Sequence, residues 1–119
     1  MLFRSVNSGI AVRSSVSNAF DSDVYAVKIG ADGTVRLYRR NNWTWTLLSS
    51  VNAGIMAGPT YTLKVVATGT NPVHLEAWIN GTLQIAFDDT SGSRLGAGPV
   101  GIVNYDSGVR YDTFCVTKQ

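Results

Sequence analysis

The chain has 119 residues, 45% of them apolar and 15% charged, and ten Lys and Arg against eight Asp and Glu leave a formal charge of +2. That length fits one domain, the apolar content excludes a disordered chain, and no apolar run approaches the ~20 residues a membrane-spanning helix needs. With no Lys/Arg tract, the charge carries no electrostatic footprint for nucleic acid or for a membrane surface, so neither is expected as a partner. The chain opens with MLFRS, too short for a signal peptide and lacking its apolar region. Leu2 to Ser5 is also what CTC TTC CGA TCT encodes, the end of a common sequencing-library adapter. Residues 1–8 are therefore read as a non-native or disordered start, and 9–117 as a single domain. From there two-residue alternation replaces helical periodicity almost everywhere. It predicts strands over GIAVRSS (9–15), VYAVKIGA (24–31), TVRLYRR (34–40), WTWTLLS (43–49) and TYTLKVVAT (60–68). VHLEAWI (73–79), TLQIAFDD (82–89), VGIVNY (100–105) and VRYDTFCVT (109–117) follow. Asn80-Gly81 is the strongest hairpin signal, because both central positions of a type I′ turn need the positive φ that Asn and Gly tolerate. Asp32-Gly33 and Asp106-Ser107-Gly108 mark two more tight connections. Long helical crossovers have no room, so the fold class is all-β, an antiparallel β-sandwich or barrel.

Alternation also assigns faces. Tyr25, Val27 and Ile29, then Val35 and Leu37, Leu63 and Val65, Leu75, Ala77 and Ile79, Leu83, Ile85 and Phe87, and finally Phe114 and Val116 are expected in the core. Arg13, Lys28, Arg36, Tyr38, Lys64, Glu76 and Trp78 are expected on the opposite faces.

In this order, GIAVRSS, YAVKIGADGTVRLYRR, WTWTLLSS, YTLKVVATG, HLEAWINGTLQIAFDD and GAGPVGIVNYDSGVRYDTFCV resemble the laminin-G-like and concanavalin A-like jelly-roll superfamily. The nearest likeness is to bacterial domains appended to extracellular polysaccharide-degrading enzymes. The resemblance runs from about Gly9 to Val116. Its most telling pieces are Trp78-Ile79-Asn80-Gly81, GPVGI from Gly98 to Ile102, and Tyr111-Asp112-Thr113-Phe114. It implies a secreted jelly-roll sandwich. Members of the superfamily carry further strands ahead of the Arg-ended one, and this chain starts there. The resemblance therefore also implies an open edge, closed by a second copy in a homo-oligomer or by a smaller sandwich.

Chemistry-bearing residues are few. The single Cys115 cannot form an internal disulfide and reads as a half-buried thiol. Glycoside hydrolysis usually needs two carboxylates, yet Glu76 is the only Glu, and HLEAWIN lacks the Glu-x-Asp-x-x-Glu strand of laminarinase-type members. His74 has no Gly-x-Ser-x-Gly elbow to serve. The reading is a non-enzyme without catalytic residues; a hydrolase-like remnant using Glu76 or Asp112 is one alternative. Sugars stack on flat aromatic faces while polar side chains give directional hydrogen bonds. Trp78 lies beside Glu76 on an outward face, Trp43 lies near Arg39, Arg40, Asn41 and Asn42, and Arg13, Arg36 and Tyr38 share the outward face of neighbouring strands. Trp45 is expected in a second core layer. The resemblance also implies a structural calcium held by Asp88, Asp89 and Asp112, with Asp21 and Asp23 as a weaker set; turn capping is the plainer role for Asp88 and Asp89. Together these point to a non-catalytic, lectin-like carbohydrate-binding module for a polysaccharide. The other alternative is a structural or adhesion domain assembling through open edge strands.

Overall fold

A computed structural model describes residues 2–3, 8–13, 23–30, 32–56, 61–96 and 101–104. Strand β1 (Leu2–Phe3) is followed by β2 (Ser8–Val12), β3 (Val24–Ile29), β4 (Thr34–Asn41), β5 (Thr44–Asn52), β6 (Tyr61–Thr68), β7 (Val73–Ile79), β8 (Thr82–Asp89) and β9 (Gly101–Asn104). Each of the first eight predicted strands is present. The ninth, 109–117, lies outside the described residues together with Cys115, Asp112, Phe114, Val116 and the Asp106-Ser107-Gly108 turn. Leu2–Phe3, within the stretch read as a non-native or disordered start, pairs with the Tyr61 end of β6.

The strands form two antiparallel sheets, one in the order β1-β6-β7-β8 and the other β5-β4-β3-β2-β9. The alternation expected of strands with one buried face is cleanest in β7, where Val73, Leu75, Ala77 and Ile79 are buried and His74, Glu76 and Trp78 are half-exposed. A single buried cluster takes Ile10, Val12, Tyr25, Val27, Ile29, Val35 and Leu37 from the larger sheet and Leu63, Val73, Leu75, Ala77, Ile79 and Ile85 from the smaller. The sheets therefore pack face to face, and each fully buried Leu or Ile contributes ~1.5–3 kcal/mol.

The larger sheet is also buried in part on its outer side. Ala11, Val24 and Ala26 form a second small cluster there, with Ala26 opposite Tyr38 and Val24 opposite Arg40. In the smaller sheet one core expectation fails: Leu83 is 43% exposed. A β-bulge in β8 puts Leu83 opposite Trp78 but Ile85 opposite Ala77, so Leu83 shares the outward face and only Ile85 and Phe87 turn inward.

A polar clamp joins the sheets at one end. The buried Asp89 carboxylate accepts from the Tyr25 hydroxyl at 2.7 Å and from Arg39 Nη1 at 2.9 Å, both on the larger sheet, and from the backbone and hydroxyl of Ser91. Burial pushes this carboxyl up, but hydrogen bonds from Ser91, Tyr25 and Arg39 outweigh it and hold the group at about 2. Burial, then the bond to Asp89, raises the Tyr25 phenol to about 12.

Candidate functional site

Two outward patches gather the polar and aromatic side chains, one on each sheet. The first surrounds the β4–β5 hairpin. Asn41 pairs with Thr44, leaving Asn42 and Trp43 as the two turn residues, at φ 47° and 68°. The β7–β8 hairpin is built alike: Ile79 pairs with Thr82, and Asn80 and Gly81 sit at φ 50° and 79°. Both have the positive φ pair of a type I′ turn. Trp43 thus occupies the position that holds glycine in the sister hairpin, although a bulky side chain rarely adopts that backbone conformation. The residue is 69% exposed, with the Arg40 guanidinium 4.6 Å from the ring centroid.

Trp45 lies one strand step further along the same face. Tyr38 meets it edge-on at 5.8 Å, Lys28 Nζ sits 4.2 Å from its centroid and 4.8 Å from that of Tyr38, and Arg40 lies 5.6 Å away. Burial beneath this layer lowers the Lys28 ammonium from its ordinary value. A bulge between Leu37 and Tyr38 leaves Leu48 as the extra residue of β5 and sets Leu47, 52% exposed, opposite Tyr38. Arg36 borders the patch, tied to Asp32, whose carboxyl is drawn down to about 2 by bonds from Thr34 and then Arg36.

The second patch is the outer face of the smaller sheet. Trp78 Nε1 donates to Glu76 Oε1 at 2.9 Å, and Lys64 Nζ lies 4.2 Å from the Trp78 ring centroid. Glu76 Oε2 meets His74 Nε2 at 2.8 Å, and His74 Nδ1 meets Asp88 Oδ1 at 2.6 Å. The contact with Glu76, then that with Asp88, raises His74 above its ordinary value. Glu76 is lowered by His74 and then by Trp78.

The sequence-selected residues therefore fall into separate groups. Trp43, Tyr38 and Arg36 belong to the hairpin patch, and Trp78 and Glu76 to the opposite side of the sandwich. Arg13 leaves the strand at φ 57° and sends its guanidinium to the carbonyls of Gly69 and Leu95, tying β2 to loops at the end of the sandwich. Asp88 and Asp89 point to opposite faces of β8, outward to His74 and inward to Arg39, so the two do not converge on one ion. Among the described residues no three His, Cys, Asp or Glu side chains are arranged to hold a metal. Sequence reasoning set Lys64 on this outward face but gave neither it nor His74 a place in a site; the signal was their parity with Glu76 and Trp78 on β6 and β7. No protein family, curated protein or solved structure matches this chain.

Proposed function

We propose that this protein is a non-catalytic, lectin-like carbohydrate-binding module that takes a polysaccharide on the hairpin patch, with Trp43 as the stacking platform. In this reading the sandwich is a jelly roll of the concanavalin A-like kind, from a secreted protein. The observation that carries it is the tryptophan in a glycine position: a left-handed non-glycine residue costs ~1–2 kcal/mol, and the sister hairpin avoids that cost with Gly81. A side chain held there at such expense, and largely in solvent, fits a role outside folding. The exposed indole would stack on the apolar face of a pyranose ring, with Asn42 beside it in the turn and the Arg40 guanidinium 4.6 Å from the indole centroid for hydroxyls. One ring gives weak affinity, and repeated modules would add avidity.

Pull-down on a panel of insoluble polysaccharides tests this. Binding lost in Trp43→Gly and kept in Trp78→Ala supports the hairpin site; binding indifferent to Trp43 overturns it.

A second reading, assembly through an open edge strand, rests on β5. Among the described residues it pairs on one side only, with β4; its sequence TWTLLSSVN has no charge and no proline; and Leu47 is exposed on it. Such an edge favours pairing with another copy. Light scattering separates the two readings: a dimer broken by Leu47→Lys supports assembly, and a monomer at high concentration removes it.

A further inference from the structure

The second patch carries an inference independent of the glycan reading. His74 is the only histidine in the chain. Both its ring nitrogens face carboxylates, Nδ1 at 2.6 Å from Asp88 and Nε2 at 2.8 Å from Glu76. A neutral imidazole has one N–H and one lone pair, so it can donate to one of these groups and must turn a lone pair toward the other. Imidazolium donates to both.

The sheet makes this arrangement deliberate in geometry. Register sets His74 opposite Asp88 on β8 and opposite Thr68 on β6, and two-residue alternation puts Glu76 on the same face. Among the described residues, the charged groups facing His74 are Glu76 from β7 and Asp88 from β8, while Lys64 from β6 lies over Trp78 and opposes a second positive charge from farther off. Two adjacent carboxylates outweigh one distant ammonium. Glu76 passes the constraint on, because its other oxygen holds the indole N–H of Trp78.

We propose that His74 is a proton-operated clasp: protonated, it ties Glu76 on β7 to Asp88 on β8 and holds Trp78 in place, and on losing its proton it releases one carboxylate and frees Trp78 to reorient. The raised proton affinity of His74 agrees with this geometry.

An NMR titration of the full chain tests it, since a sole histidine gives one unambiguous imidazole signal. The midpoint should lie above the ordinary 6.5 and move down in both Glu76→Gln and Asp88→Asn. The Trp78 indole N–H, assigned with Trp78→Phe, should shift with the same midpoint in the parent chain and stay flat in His74→Gln. A parent midpoint at or below 6.5 overturns the clasp and needs no variant. So does a midpoint that neither carboxylate substitution moves, or a Trp78 signal that ignores His74.

Discussion

Replacing Trp43 separates folding from function at one residue. Trp43→Gly relieves ~1–2 kcal/mol of left-handed strain at φ 68°. Against this stand ~0.5–1 kcal/mol of added backbone entropy in the unfolded chain and ~0.5–1 kcal/mol for the lost contact between Arg40 and the exposed ring. The terms nearly cancel, so Trp43→Gly should match the parent within about 1 kcal/mol. Trp43→Ala loses the same ring contact but keeps the strain, so it should be the less stable of the two by ~0.5–1 kcal/mol. Urea melts of the three chains read these differences, and an unchanged slope would show that the surface exposed on unfolding is the same in all three. Both variants should lose polysaccharide binding alike. If alanine proves the more stable, or if either variant loses more than ~2 kcal/mol, Trp43 is a packing residue and the case for a selected surface ring fails.

Other consequences follow from the same contacts. Asp89→Ala leaves the Arg39 charge without its carboxylate and the Tyr25 O–H without an acceptor inside the sandwich and should cost ~3–5 kcal/mol in a urea melt. Because Asp89 is held at about 2 against an ordinary 3.8, its contribution, about 2 kcal/mol, is present above 3.8 and fades as pH falls toward and below 2. Asp89→Asn should remove that part of the acid dependence. His74 has the opposite sign: its raised value stabilises the fold below 6.5, and the gain is lost as pH rises through the folded value, a slope that His74→Gln should flatten. Gly81→Ala meets nothing within 4 Å, so its expected loss of ~1 kcal/mol is backbone strain alone and should appear without any change in the core signals of an NMR spectrum.

Strands and turns were legible because they depend on near neighbours. Alternation in VHLEAWI and the Asn80-Gly81 pair suffice for a half-buried strand and a type I′ turn, whatever the rest of the chain does. The partners of Asp89 were not legible. Tyr25 and Arg39 lie 64 and 50 residues away in sequence and meet it only once two sheets are stacked, so strand-exit capping was the available reading and the Ser91 bonds are the part of it that appears. The outer faces were half legible. Parity put Lys28 and Tyr38 together, but nothing local says that Ala11, Val24 and Ala26 are covered, or that positive φ at Arg13 takes its side chain off the face.

The bulge in β8 shows how two legible signals can imply a third. A two-residue turn pairs Ile79 with Thr82; continued without interruption, that register would set Ala77 opposite Gln84 and Leu75 opposite Ala86. Gln84 would then face the core and Ile85 and Phe87 would face water, against the hydrophobic pattern. One extra residue resolves the conflict, and the structure inserts it between Leu83 and Ile85. The slip that returns Ile85 and Phe87 to the core also carries Asp88 outward to a position opposite His74, and Asp89 inward to Arg39. Without the bulge Asp88 would take the inward place opposite Val73 that Asp89 now holds, Phe87 would stand opposite His74, and His74 would lose its second acceptor. The core packing of this hairpin and the second carboxylate beside His74 therefore rest on a single unpaired residue, Gln84.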